Sequence, residues 1–124
     1  MPRILFVDDN KEFLGVASPV LNKAGYDVVT AENGIEAINK FDESSFDAVV
    51  TDVVMPGANG YELVKHIRNT AGDTIPAVIG ITGTTWGINL SCFDIVLQKP
   101  FSLRILIECL KAFENKKTCN NMCA

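Results

Sequence analysis

Short apolar runs alternate with longer amphipathic stretches along this chain, and the alternation predicts strands separated by helices. The apolar runs predict strands at residues 3–7, 27–31, 46–51, 76–81 and 94–97. The amphipathic stretches predict helices at residues 11–24, 34–44, 61–69 and 103–114, and residues 86–92 have room for only a short helix. Asn10 and Asn33 are suitable helix N-caps, and Gly25 is a suitable helix stop.

The first, third and fourth strands are apolar throughout, which is typical of strands buried on both faces of a parallel sheet. Strand–helix units in series predict right-handed crossovers, with helices on both faces of the sheet. We therefore predict one doubly wound α/β domain over residues 1–115, followed by a frayed polar tail over residues 116–124. The predicted inward positions of the first and last helices are Phe13, Leu14, Ala17, Val20 and Leu21, and Ile105, Leu106, Cys109, Leu110 and Phe113.

Composition narrows the class of protein. The chain has 124 residues, 48% of them hydrophobic, which suits one globular domain with its own core. The formal net charge of −4 and the lack of a basic stripe argue against direct binding to nucleic acid. No apolar run is long enough to insert into a membrane or to form a signal peptide, so we expect a cytoplasmic protein. The four cysteines match no zinc-ligand spacing.

Polar residues follow the predicted strands where each strand ends. Asp8 and Asp9 follow the first strand, Asp52 the third, Thr82 the fourth and Lys99 the fifth. Taken singly, most of these residues are better explained in ordinary terms, the Asp pair by the helix dipole, Thr82 by a turn and Lys99 by solvation. Asp52 alone is explained equally well as a turn residue. If the strand order is 2-1-3-4-5, however, these residues converge at the edge where open α/β sheets bind ligands. Three convergent carboxylates either share protons or bind a hard cation such as Mg²⁺ or Mn²⁺, and with a lysine they suit phosphoryl transfer.

Four segments, in order along the chain, resemble the motifs of response-regulator receivers. They are Ile-Leu-Phe-Val-Asp-Asp-Asn at residues 4–10, Val-Thr-Asp-Val-Val-Met-Pro-Gly at residues 50–57 with Gly60 following, Ile-Thr-Gly at residues 81–83, and Gln-Lys-Pro-Phe at residues 98–101. The resemblance extends from about residue 3 to residue 113. It implies a flavodoxin-like five-stranded parallel sheet in the order 2-1-3-4-5.

The resemblance also implies roles for individual residues. Asp52 would be the phosphoacceptor and a ligand of Mg²⁺. Asp9 would bind Mg²⁺ directly, Asp8 through water, and Val54 through its backbone carbonyl.

The other side of the site would contact the phosphoryl group. The resemblance implies this role for Lys99, the Thr82 hydroxyl and the Gly83 amide. It also implies a cis peptide bond between Lys99 and Pro100, an isomer that proline tolerates.

The expected function is Mg²⁺-dependent phosphorylation of Asp52 that switches partner binding within a two-component phosphorelay. The expected partners are a sensor histidine kinase or a histidine phosphotransfer protein, and a downstream protein that the sequence does not identify. Three alternatives stay open. They are a degenerate receiver acting as a scaffold, a small phosphatase with an aspartyl nucleophile, and a flavodoxin-like cofactor binder. Val54 stands where such a phosphatase has a second Asp, and Asp8-Asp9 stands where a flavodoxin has its phosphate loop.

Two features depart from the family pattern. The segment between Thr82 and Lys99 is short, so the fourth of the five helices expected in the family is shortened. Val96, three residues before Lys99, occupies a position where the family usually has Tyr or Phe. We therefore expect the phosphorylation chemistry to be retained and its readout to be altered.

Overall fold

The computed structural model describes residues 2–53, 60–70, 76–83, 93–99 and 102–123, with side chains in the last segment described as far as residue 113. These residues form five strands and four helices in an alternating order. The strands are β1 (Arg3–Val7), β2 (Asp27–Ala31), β3 (Ala48–Asp52), β4 (Ala77–Thr82) and β5 (Ile95–Gln98). The helices are α1 (Lys11–Lys23), α2 (Gly34–Glu43), α3 (Gly60–Thr70) and α4 (Leu103–Cys123).

All five strands are parallel and lie in the order β2-β1-β3-β4-β5, which confirms the predicted sheet. The central strands β1, β3 and β4 are buried almost from end to end. Burial on both faces explains why their sequences are continuously apolar rather than alternating. The predicted short helix at residues 86–92 lies outside the described residues.

Local signals at the helix ends act as predicted. The Asn10 side chain accepts a hydrogen bond from the Phe13 amide at 3.2 Å, and the Asn33 side chain accepts one from the Glu36 amide at 2.8 Å. Each bond satisfies an amide that the first helical turn leaves without a partner. Gly25 follows the end of α1 with a φ of 105°, a conformation that side chains with a Cβ rarely adopt.

The sheet is covered on both faces. Along β1, Ile4 and Phe6 point into a first cluster, while Leu5 and Val7 point into a second. Helices α1 and α4 cover the first cluster, and α2 and α3 cover the second. The helical residues buried in the first cluster are Leu14, Ala17, Leu21, Leu106 and Leu110, and those in the second are Ala37, Leu63 and Ile67.

A smaller third cluster lies beside the ends of β3 and β5. Its buried members are Val53, Val64, Val78 and Phe93, with Tyr61 and Val96 packed against them. Among the described residues, no helix combines the length and apolar character that a membrane span requires.

Three predictions about the helices are wrong. The last helix does not end at residue 114 but continues to Cys123, because no Gly or Pro interrupts the sequence there and polar composition alone does not stop a helix. Ile105 is 47% exposed, since α4 turns its Leu106 and Leu110 stripe to the sheet and leaves Ile105 at the margin. Val20 is likewise 38% exposed at the margin of α1.

Candidate functional site

The candidate site lies at the carboxyl ends of β1, β3, β4 and β5. The parallel register pairs Val7 with Thr51, so the residues that follow each of them, Asp8 and Asp52, emerge side by side. The register of β4 with β5 pairs Thr82 with Gln98, which places Lys99 directly past that edge. The register of the sheet thus converts residues distant in sequence into neighbours.

Three carboxylates converge at this edge. One carboxylate oxygen from each of Asp8, Asp9 and Asp52 lies within 4.8 Å of the other two. Asp8 is completely buried and Asp52 is 7% exposed, whereas Asp9 is exposed. The Asn10 amide donates to Oδ1 of Asp8 at 2.9 Å and holds that carboxylate in place.

Lys99 is the cation that faces these acids. Its Nζ lies 3.2 Å from Oδ2 of Asp52 and 3.4 Å from Oδ2 of Asp8. Partial burial of the ammonium disfavours its charge, but the Asp52 and Asp8 carboxylates outweigh that effect, so the pKa of Lys99 is raised above its ordinary value. The Lys99 amide also donates to the Thr82 carbonyl at 2.8 Å, which ties the end of β5 to the end of β4.

The acids exceed the lysine in number, and the geometry fits a bound cation. Two buried carboxylate oxygens less than about 5 Å apart, such as those of Asp8 and Asp52, repel each other by roughly 3–4 kcal/mol at an effective dielectric constant of about 20. Oδ2 of Asp8 accepts no hydrogen bond from the residues that the structure describes, although it is completely buried and lies near Lys99. Hard oxygen ligands of this kind are those that Mg²⁺ prefers, so the described residues fit Mg²⁺.

Comparison with known proteins settles the family. The profile of the family described as "Response regulator receiver domain" matches residues 4–111. The chain belongs to this family.

Receivers of known structure share the fold over most of their length. The chemotaxis protein CheY4 of Vibrio cholerae is 30% identical, with a TM-score of 0.83, and the match covers 91% of this chain and 98% of that one. The response regulator TrrA of Thermotoga maritima, solved in complex with Mg²⁺ and BeF, is 33% identical with a TM-score of 0.81. That match covers 91% of this chain and 99% of TrrA.

Curated relatives extend beyond the region of similarity. The "Transcriptional regulatory protein CpxR homolog" of Haemophilus influenzae is 38% identical, and the match covers 90% of this chain and 50% of that protein. The chain spans about half the length of the first curated relatives it matches.

The structure describes the remaining residues expected in this receiver's site only in part. Thr82 is 1% exposed at the end of β4, and a Cβ added to Gly83 would meet nothing within 4 Å. The Val54 carbonyl and the Lys99–Pro100 peptide bond involve positions outside the described residues, so both stay predictions.

Two residues that support Asp52, Thr51 and Gly60, belong to the motif quoted around it but were given no role of their own from the sequence. The hydroxyl of Thr51 donates to the Asp52 carbonyl at 2.9 Å within the buried end of β3. Gly60 starts α3 so close to β3 that an added Cβ would lie 2.7 Å from the Asp52 carbonyl oxygen. The available signals were a lone hydroxyl in an apolar strand and a glycine directly before an amphipathic helix.

Proposed function

We propose that Asp52 accepts a phosphoryl group and that its phosphorylation switches the binding of a partner protein. The observation that carries this proposal is the position of Lys99, whose ammonium lies between the buried carboxylates of Asp8 and Asp52. A lysine held there by two acids compensates negative charge that arrives on Asp52. Phosphoryl transfer depends mainly on such positioning and charge compensation.

The transfer step needs only a nucleophile and a donor with a good leaving group. A carboxylate oxygen of Asp52 attacks the phosphorus of a phosphohistidine, forming a P–O bond and an acyl phosphate. The P–N bond breaks, its electron pair goes to the imidazole, and that nitrogen then takes a proton from water. Lys99 is positively charged at neutral pH, as lysine ordinarily is, and its ammonium contacts the phosphoryl oxygens.

The acidic residues have a second role in this proposal. Asp8, Asp9, Asp52 and the Val54 carbonyl would hold Mg²⁺, with Asp9 as a direct ligand and Asp8 acting through water. When bound, Mg²⁺ supplies the positive charge that the three carboxylates and an incoming phosphoryl group together require. The cluster of carboxylate oxygens and the structure of TrrA with Mg²⁺ and BeF support this assignment.

Switching would begin with the residues that meet the new phosphoryl group. We assign this contact to Lys99, the Thr82 hydroxyl and the Gly83 amide. The hydrogen bond from the Lys99 amide to the Thr82 carbonyl supports the assignment, since it makes the ends of β4 and β5 move together.

The phosphoryl donor would be a sensor histidine kinase or a histidine phosphotransfer protein. TrrA, which resembles this chain over 91% of its length, has been solved in complex with the histidine kinase ThkA. The output would be contact with a further protein rather than with nucleic acid, given the net charge of −4.

The division at residue 115 and a cytoplasmic location also stay predictions.

The test is the intact mass of the protein after incubation with acetyl phosphate and Mg²⁺. Asp52→Asn and EDTA are the controls. We expect one added phosphoryl group in the parent and none in either control. A protein that neither gains this mass nor binds beryllofluoride with Mg²⁺ would instead favour a phosphorylation-independent scaffold.

A further inference from the structure

The third cluster begins at the phosphoacceptor itself. Val53 directly follows Asp52, is completely buried, and has both of its backbone groups engaged. Its amide donates to the Ile81 carbonyl at 2.8 Å, and its carbonyl accepts from the Gly60 amide at 3.0 Å. The main chain beyond Asp52 is therefore attached to β4 on one side and to the start of α3 on the other.

The start of α3 has no free space against that main chain. A Cβ on Gly60 would lie 2.7 Å from the Asp52 carbonyl oxygen and 2.9 Å from Cα of Val53. Backbone atoms cannot give way as a flexible side chain can. A displacement at Asp52 or Val53 is therefore passed to Gly60 and to the next residue, Tyr61.

Tyr61 carries the contact across to the entrance of β5. Its ring packs on that of Phe93 with centroids 5.9 Å apart and planes at 56°. Phe93 is 7% exposed and fills the space above Gly80, where an added Cβ would lie 2.9 Å from the ring. The next residue, Asp94, is held to Val78 of β4 by two hydrogen bonds, of 2.9 Å and 2.7 Å.

These contacts form a closed loop of interactions that begins and ends at Asp52. Val96 of β5 packs against the same cluster as Phe93, and Lys99 at the end of β5 reaches back to Asp52. Within this closed loop of interactions, the hydroxyl of Tyr61 is buried and has no hydrogen-bond partner among the described residues. A small shift that gave this hydroxyl a hydrogen-bond partner would lower the free energy of the protein. The position of Tyr61 should therefore respond to small movements of its neighbours.

We propose that the Tyr61–Phe93 ring pair couples the phosphorylation state of Asp52 to the packing of α3 against β5. The inference rests on the proposed function. In the unphosphorylated state Lys99 is held by Asp52 and Asp8. A phosphoryl group on Asp52 changes the partners of Lys99 and displaces the carboxyl ends of β3 and β5. Tyr61 adjusts because Gly60 attaches it to the end of β3, and Phe93 adjusts because it directly precedes the short strand β5 and packs in the same cluster as Val96.

The chain carries its own control for this proposal, since it has two tyrosines. Tyr26 is 3% exposed in the first cluster, and Tyr61 lies in the third. The experiment records the NMR spectrum of protein labelled with ¹³C in the tyrosine rings, before and after acetyl phosphate and Mg²⁺. We expect the Tyr61 resonance to shift and the Tyr26 resonance to stay in place, with no shift of either in Asp52→Asn.

Two variants then distinguish coupling through the rings from a direct effect of charge. The change in the Tyr61 resonance on phosphorylation should be lost in Phe93→Leu. It should be kept in Phe46→Leu, which removes an aromatic ring from the second cluster. A shift retained in Phe93→Leu overturns the proposal. The intact mass of each sample reports phosphorylation separately. A gain in mass with an unmoved Tyr61 resonance overturns the coupling alone. A sample that neither gains mass nor binds beryllofluoride with Mg²⁺ overturns the proposed function together with the coupling.

Discussion

The Nζ atom of Lys99 lies 3.2 Å from Oδ2 of Asp52 and 3.4 Å from Oδ2 of Asp8. One ammonium group is thus shared by two buried carboxylates, of which Asp8 follows β1 and Asp52 ends β3. The three residues are separated in sequence by more than forty positions at each step, and the parallel register brings them together.

Replacement of Lys99 should destabilise the protein when no metal is present. Lys99→Met leaves the Asp8 and Asp52 carboxylates without their cation, so we expect a loss of about 1 kcal/mol in the free energy of unfolding in EDTA. The loss is smaller than for a fully buried pair because 35% of the lysine side chain is exposed to solvent. Urea unfolding measures it.

The matched control is Lys11→Met. Lys11 also forms an ion pair, with Glu32 at 3.7 Å, but its side chain is 76% exposed. We expect a change within about 0.5 kcal/mol. Equal losses in the two lysine variants would show that the Lys99 contacts add nothing to stability.

Asp8→Asn should stabilise the metal-free protein and reduce the stabilisation that Mg²⁺ provides. The amide oxygen can still accept from the Asn10 amide, while a completely buried charge with an unsatisfied oxygen is removed. We expect a gain of about 1 kcal/mol in EDTA. Thermal unfolding with and without Mg²⁺ measures both effects.

Glu12→Gln is the control for Asp8→Asn, since it removes an exposed acid from the first turn of α1. This variant should keep the full response to Mg²⁺. An Asp8→Asn variant that gains as much stability from Mg²⁺ as the parent does would exclude Asp8 from the metal site.

The raised pKa of Lys99 predicts a loss of stability at alkaline pH. A lysine with a folded-state pKa above its ordinary value of 10.5 stabilises the fold fully below that value. Its contribution then declines as the pH rises past 10.5 and through the folded-state pKa. The difference in unfolding free energy between the parent and Lys99→Met should therefore shrink over that range. A difference that stays constant as the pH rises would contradict the ion pairs seen here.

Alanine at two glycines should have opposite effects on stability. A Cβ on Gly15, on the exposed side of α1, meets nothing within 4 Å, so Gly15→Ala should stabilise the protein by about 0.5–1 kcal/mol. Gly60→Ala should destabilise it by about 1–3 kcal/mol, because its Cβ would meet the backbone of Asp52 and Val53.

Gly80→Ala is the control for Gly60→Ala, because its added Cβ would clash with a side chain and not with the backbone of the phosphoacceptor. Its Cβ would lie 2.9 Å from the Phe93 ring, and its three nearest neighbouring atoms would all belong to that ring. Both crowded variants should lose stability, but Gly60→Ala should lose more phosphorylation by acetyl phosphate at a temperature where both are folded. The opposite ranking would show that the start of α3 does not position Asp52.

The sequence predicted the sheet well because its signals are local. Strands β1 and β2 have the bounds that their apolar runs predicted, and Asn10 caps α1 as expected. The end of α4 was missed because nothing in the sequence stops a helix after residue 114. The exposure of Ile105 depends on how α4 is rotated on the sheet, and a helical pattern fixes that rotation only approximately.

The site was predictable in outline but not in detail. Strand ends indicated that Asp8, Asp52 and Lys99 would meet, because parallel strands share an edge. The approach of Lys99 to both acids depends on packing between elements, which local patterns do not encode. The same is true of the close approach of Gly60 to the backbone of Asp52 and Val53.

The most direct test of the central claim is to locate the phosphoryl group on the chain. After incubation with acetyl phosphate and Mg²⁺, borohydride reduces an acyl phosphate to an alcohol with loss of phosphate, which converts the modified aspartate to homoserine. Peptide mass spectrometry then identifies its position. Our account predicts homoserine at position 52 alone, and none when the chain carries Asp52→Asn. Homoserine at Asp8 or Asp9 in the parent would contradict it.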